Sequence, residues 1–129
     1  TTSTTDSDIY KSIMEGLAYE MKFETAIAKH YGIKIKKAVA TGGGANSDVW
    51  LQIKADIQGI PYTTLRSSEG GLCGCAVLQA VANGNSYKDA VRKFVKTNKK
   101  FVPDKQASIE YGPYYKKYKN LYKSLKEFY

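Results

Sequence analysis

Three consecutive glycines, Gly42-Gly43-Gly44, are the residues of this chain best placed to do chemistry. They follow the short run Lys36-Lys37-Ala38-Val39-Ala40 and Thr41, and they precede Ala45-Asn46-Ser47. A strand that ends in glycines and feeds a capped helix has a physical use. Glycine takes backbone conformations closed to other residues and lets a ligand approach closely. The helix start behind it presents free N–H groups and a positive dipole end, which suit phosphate. Asn46 or Ser47 caps that helix and adds a side-chain hydrogen bond to a base or ribose. From the turn alone two readings stand, a nucleotide site and a plain tight turn. It is not a P-loop, because G-x-x-x-x-G-K-[ST] is absent. The G-x-G-x-x-G spacing, with an acidic residue about twenty positions further on, is absent too.

Other reactive side chains are few. Cys73 and Cys75 stand two apart, a spacing that does not favour a mutual disulfide on a helix or strand. With His30 as the only histidine, they make no four-ligand zinc site, and no metal site is expected. They read as small apolar side chains of a packed helix, in keeping with a reducing, cytoplasmic compartment. His30, near a helix end, suits the negative dipole terminus. Asp56 falls inside a helix and reads as structural, and Glu15 as a helix or interface contact. No acid is assigned as catalytic.

The elements that must hold the glycine turn follow from spacing. Thr5-Asp6-Ser7-Asp8 is a capping box. Behind it Ile9, Ile13, Leu17 and Met21 recur at helical spacing, which predicts a helix over 6–31 closed at Gly32. After the turn, Val49, Trp50, Ile53 and Ile57 mark a second helix, ended by Gly59 and Pro61. Tyr62-Thr63-Thr64-Leu65 is a second short strand. Leu72 to Ala82 is small and apolar all round, so that helix is expected to lie close to a sheet or another helix. Ser86-Tyr87-Lys88-Asp89 opens a helix to about residue 97. After Pro103 the last helix runs over 107–127, with Tyr111, Tyr114, Tyr118, Leu121, Leu125 and Phe128 as one stripe.

The order is helix, strand, helix, strand, then three helices. It argues for an α/β layer of few short parallel strands flanked by several helices. Two strands are a thin sheet for so many helices, so the chain is expected to be part of a larger α/β domain. Its start at Thr1, without Met, fits an excised piece.

With 129 residues the chain has the size of one domain, and 43% hydrophobic residues supply a core. No run of about 18 apolar residues predicts a membrane span. Thr1 to Ser7 lacks the basic and apolar regions of a secretory signal. The net charge of +8 is unevenly placed. Residues 1–90 carry nine Lys/Arg and nine Asp/Glu, whereas residues 91–129 carry eleven and three. Lysines interleaved with tyrosines give a second function class, a basic α/β module that binds RNA or an acidic protein. Against it, the tyrosines share one helical stripe and the segment has a single arginine, Arg92, where phosphate and base readers favour Arg. Nucleic acid is therefore not the expected partner.

Read together, the segments resemble one family. Thr41-Gly42-Gly43-Gly44-Ala45-Asn46-Ser47, followed by Trp50-Leu51-Gln52-Ile53-Lys54-Ala55-Asp56 and then Gly59 and Pro61, is similar to the adenosine-binding stretch of FGGY carbohydrate kinases. Ser68-Glu69 followed by Gly74-Cys75-Ala76 resembles that family's E-x-x-x-x-G-A-A helix, with Cys75 in place of an alanine. Asp8 to Gly16 is similar to the second half of its C-terminal signature. Phe101-x-Pro103-Asp104 and the tyrosine-rich last helix match its habit of ending. The resemblance runs over about 6–125, and the Gln-x-Lys-Ala-Asp form looks most like the xylulose-kinase branch.

The resemblance implies an actin-like fold of two RNase-H-like domains, of which residues 1–129 are the C-terminal part of the ATP-side domain. It implies ATP and Mg²⁺ as cofactors and transfer of the γ-phosphoryl group to a sugar hydroxyl. Gly42, Gly43 and Gly44 form the cofactor turn, with Gly43 and Gly44 meeting the nucleotide through their backbones. Ala45, Asn46 and Ser47 line the adenosine pocket. The catalytic Asp, the sugar pocket and the phosphate loops belong to regions this chain does not contain. The isolated chain is therefore expected to lack kinase activity, and to show an exposed apolar edge that promotes a homodimer.

Overall fold

The computed structural model describes residues 3–67 and 69–128. The described residues form five α-helices and a three-stranded sheet: α1 (Asp6–His30), β1 (Ala38–Ala40), α2 (Asp48–Gln58), β2 (Tyr62–Leu65), α3 (Gly70–Ala82), α4 (Tyr87–Phe94), β3 (Thr97–Phe101) and α5 (Lys105–Leu125). A 3₁₀ turn, Gly43–Asn46, lies between β1 and α2, and another, Lys126–Phe128, follows α5. Among the described residues no helix is long and apolar enough to cross a membrane.

The start and stop residues act as their chemistry dictates. At α1 the Asp8 amide donates to Thr5 Oγ1 (3.3 Å) while the Thr5 amide donates to Asp8 Oδ2 (2.9 Å), closing the capping box. Gly59 ends α2 in the left-handed region at φ 71°, a conformation that penalises any Cβ. Ser86 Oγ accepts from the Asp89 amide (3.1 Å) to start α4.

The sheet order is β1-β2-β3. β1 pairs parallel with β2, in the register Ala38 to Tyr62 and Ala40 to Thr64. The third strand departs from the expected parallel pattern. β3 pairs antiparallel with β2, Tyr62 opposite Phe101 and Leu65 opposite Thr97, with a bulge between Thr63 and Leu65. Residues 95–97 are therefore not helix. Val95 is already extended at φ −101°, ψ 95°, and the Arg66 amide donates to Lys96 O (2.8 Å). Thr97-Asn98-Lys99-Lys100-Phe101 has one apolar side chain turned partly inward and four exposed residues. Such an edge strand, protected by lysines, carries no alternating signature.

α2 is the centre of the fold, apolar on two faces. Leu51 and Ala55 pack with Tyr62 against the sheet, beside Ala38, Ala40, Ile60 and Phe101. Ile53 and Ile57 pack with Ala18 and Tyr19 of α1, against Met14, Tyr111, Tyr115 and Tyr118. The stripe of α5 is thus Tyr111-Tyr115-Tyr118; Tyr114, Leu121, Leu125 and Phe128 are exposed. Spacings of four then three satisfy a helix as well as three then four, so only the packing partners decide between them. Two phenols bridge to carboxylates of α1. Tyr111 Oη donates to Glu15 Oε1 (3.0 Å), and Tyr118 Oη donates to Glu20 Oε2. Glu15 is thereby an interface contact, with Lys11 Nζ at 3.6 Å.

α3 packs against α4 and buries only Val77, although it is apolar throughout. The exposed apolar surface extends beyond a strand edge: Ile9, Ile13 and Leu17 of α1 lie open, as do Leu72 and Leu78 of α3.

Candidate nucleotide site

The chain leaves β1 through Thr41 and reverses at Gly42, whose φ of 79° and ψ of −174° exclude a side chain. The Ala45 amide donates to Gly42 O (3.0 Å), closing the 3₁₀ turn. Ser47 then breaks the helical path at φ −99°, ψ 103°, and its Oγ accepts from the Trp50 amide (3.3 Å). Ser47, not Asn46, is the cap of α2. Its hydroxyl oxygen accepts that capping bond, while Asn46 completes the 3₁₀ turn. The first amides of such a turn have no acceptor within it, so Gly43 and Gly44 offer backbone donors at its start.

The three glycines have three different reasons. Gly42 needs its positive φ. A Cβ on Gly44 would stand 2.8 Å from Trp50 Cζ3, so the indole excludes it. A Cβ on Gly43 would meet nothing within 4 Å, and its φ is not in the left-handed region. Among the described residues, no contact within 4 Å and no positive φ requires glycine at 43. Beside the turn, a Cβ on Gly70 would come within 3.1 Å of Thr41 Cγ2, so the start of α3 lies against the end of β1.

The start of α2 is less suited to phosphate than its position suggests. Asp48 sits in its first turn and already answers the dipole. Its Oδ2 accepts from Lys99 Nζ at 2.6 Å. The open donors belong to the 3₁₀ turn, not to the first turn of α2.

Ala45 and Asn46 form one wall of a polar cleft of about 210 Å³, whose other wall brings Thr64, Arg66, Asn98 and Lys99. Gly42, Gly43, Gly44 and Ser47 do not line it. Arg66, Asn98 and Lys99 escape a reading of the sequence because β3 brings them there. Their only local signal is a pair of lysines after Thr97-Asn98.

Asp56 has a structural task. It is buried; its Oδ1 accepts from Gln52 Nε2 (2.7 Å) and from the Asp104 amide (2.8 Å). Gln52 Nε2 also donates to Val102 O (3.0 Å), and Ser108 Oγ donates to Asp56 O (2.7 Å). The Gln-x-x-x-Asp pair therefore clasps the entry of α5, where Asp104 Oδ1 accepts from the Ala107 amide (2.8 Å). His30 lies in the last turn of α1, and Cys73 and Cys75 are free thiols on α3. Ser68 lies outside the described residues.

A parallel strand pair, a glycine turn and a capped helix, backed by further helices, define an α/β fold. The sequence narrows the class. Residues 1–83 match the model of the FGGY family of carbohydrate kinases, C-terminal domain. The chain is 30% identical over 125 residues to a xylulose kinase of Staphylococcus epidermidis, covering 95% of this chain and 25% of that protein. It is 29% identical over 119 residues to the xylulose kinase of Bacillus subtilis, covering 91% and 24%. The crystal structure of xylulose kinase from Rhodospirillum rubrum superposes with a TM-score of 0.86 at 27% identity, over 99% of this chain and 26% of that one. The chain belongs to the FGGY family of carbohydrate kinases, and its fold is part of that family's actin-like α/β fold. It spans about a quarter of the length of these relatives.

Proposed function

We propose that this chain is the ATP-side portion of a cytoplasmic sugar kinase, which passes the γ-phosphoryl group of ATP, with Mg²⁺, to a hydroxyl of xylulose or a related pentulose or polyol. The observation that carries the reading is Gly43. A Cβ there would meet nothing within 4 Å among the described residues, so the backbone of the turn is open to a ligand at this point. A ligand lying against the backbone there would need glycine. Gly42 shapes the turn, Gly43 and Gly44 meet the nucleotide through their backbones, and Ala45 and Asn46 border the adenosine. Ser47 acts by capping α2.

In this reading the sugar pocket and the carboxylate base belong to the sugar-binding domain, outside residues 1–129. Asp56 is excluded as that base, because two donors hold its buried carboxylate. The chain alone should phosphorylate no pentose or hexose; detectable ATP-dependent phosphorylation by the purified chain would contradict this. Calorimetric titration with Mg²⁺-ADP tests the site. The native chain should bind, even weakly, and Gly43→Val should abolish binding while leaving the circular dichroism unchanged. Equal binding by Gly43→Val would remove the assignment. Gly44 is the poorer choice, since a side chain there strikes Trp50.

A further inference from the structure

The chain has one tryptophan, and it touches the glycine turn. A Cβ on Gly44 would lie 2.8, 3.4 and 3.6 Å from Cζ3, Cε3 and Cη2 of Trp50, all atoms of the outer, six-membered ring. The backbone amide of the same residue donates to Ser47 Oγ at the far end of the turn. One residue thus contacts the turn through its ring and closes its exit through its main chain.

The ring is held by charge and shape. Lys54 Nζ, one helical turn on, stands 3.6 Å from the ring centroid, a cation–π contact. Burial pushes the Lys54 ammonium below the ordinary lysine range. Trp50 Nε1 is buried and makes no hydrogen bond. Among the described residues no hydrogen bond orients the indole, and both Gly44 and Lys54 lie against its ring.

We propose that Trp50 is a positioning residue for the nucleotide turn. Its outer ring sets the backbone at Gly44, and through it the open face at Gly43. The link to nucleotide rests on the reading above; the link to the turn does not. Trp50 touches no reacting atom in this account. Its part is to hold the turn in the shape that leaves Gly43 uncovered.

The test uses amide spectra of Gly42 to Ser47 and the single indole N–H resonance, with and without Mg²⁺-ADP. Gly44→Ala should displace the turn resonances and weaken Mg²⁺-ADP binding, since its Cβ would stand 2.8 Å from Trp50 Cζ3. Trp50→Phe, which lacks the outer ring, should move the same amides. Leu51, Ile53, Ala55 and Ile57 remain to hold α2, and circular dichroism checks the fold. The double variant Gly44→Ala/Trp50→Phe should recover the turn spectrum, and recover affinity relative to Gly44→Ala alone. Turn resonances unmoved by Trp50→Phe, or a double variant no better than Gly44→Ala, would overturn the proposal whatever the ligand does. If the spectra behave as stated but the native chain ignores Mg²⁺-ADP, the positioning stands and the nucleotide reading falls.

Discussion

The two helices that follow the parallel strands have opposite fates. α2, after β1, has three charged residues among eleven yet buries Leu51, Ile53, Ala55, Asp56 and Ile57. α3, after β2, has no charged residue among thirteen yet buries only Val77. Leu72 and Leu78 of α3 are each 68% exposed. Apolar content alone did not decide burial; the presence of partners did. α2 has the sheet on one face and α1 with α5 on the other, so its two apolar faces are both covered. α3 packs mainly on α4, with its first residue, Gly70, against Thr41. In the proposed reading, the open faces of α3 are those that the rest of the kinase fold covers, in keeping with a chain a quarter of its relatives' length.

The contrast can be broken most easily at its largest effect. Leu51→Ala should cost about 2–5 kcal/mol in urea unfolding, because a fully buried leucine leaves a cavity. Leu78→Ala on α3 should stay within about 0.5 kcal/mol. Similar losses at both sites would erase the distinction. Next, Asp56→Ala should cost about 1–3 kcal/mol by orphaning the Asp104 amide and the Gln52 side chain. Hydrogen exchange should then rise first at Asp104, Ala107 and Ser108. Unchanged exchange there would deny the clasp its role.

Alkali should loosen the α1–α5 side of α2 before the sheet side. The bond to Glu20, with burial, pushes Tyr118 up to about 12, and burial beside Glu15 pushes Tyr19 up to about 12. A phenol whose folded-state value is raised stabilises fully below its unfolded value, about 10, and that contribution is lost as pH rises through about 12. Phenolate absorbance should show Tyr19 and Tyr118 titrating above the ordinary tyrosine value of about 10, together with loss of helical dichroism. Titration of all tyrosines in one step near 10 would contradict the packing. The smallest effect belongs to the Lys99–Asp48 pair, more than half exposed on both sides. Lys99→Ala should change stability by about 0–1 kcal/mol, less in high salt, and a larger loss would give β3 more weight than its exposure allows.

How far the sequence reaches follows the same division. α1, β1, α2 and β2 were legible because caps, apolar spacing and breakers agree at Thr5, Ser47, Gly59 and Pro61. β3 was not, since Thr97 to Phe101 gains its structure from pairing with β2 and shows one apolar residue. The tyrosine stripe was legible as a stripe, but its choice of Tyr115 over Tyr114 depends on Tyr19 across the interface. At the site, the glycine run stood out. The separate reasons for Gly42, Gly43 and Gly44 did not, because they lie in a dihedral angle and in the position of the Trp50 ring. Arg66, Asn98 and Lys99 could not be joined to Asn46 before β3 was placed beside β2.

The central claim is that a nucleotide lies against Gly43. The most direct test is an amide chemical-shift titration of the chain with Mg²⁺-ADP, run beside one with a polyphosphate of matched charge. The account predicts saturable shifts centred on Gly43 to Asn46 with ADP, without response from the lysines of α5. Shifts confined to α5 and β3, equal for ADP and polyphosphate and lost in salt, would contradict it and mark a basic surface in place of a nucleotide site.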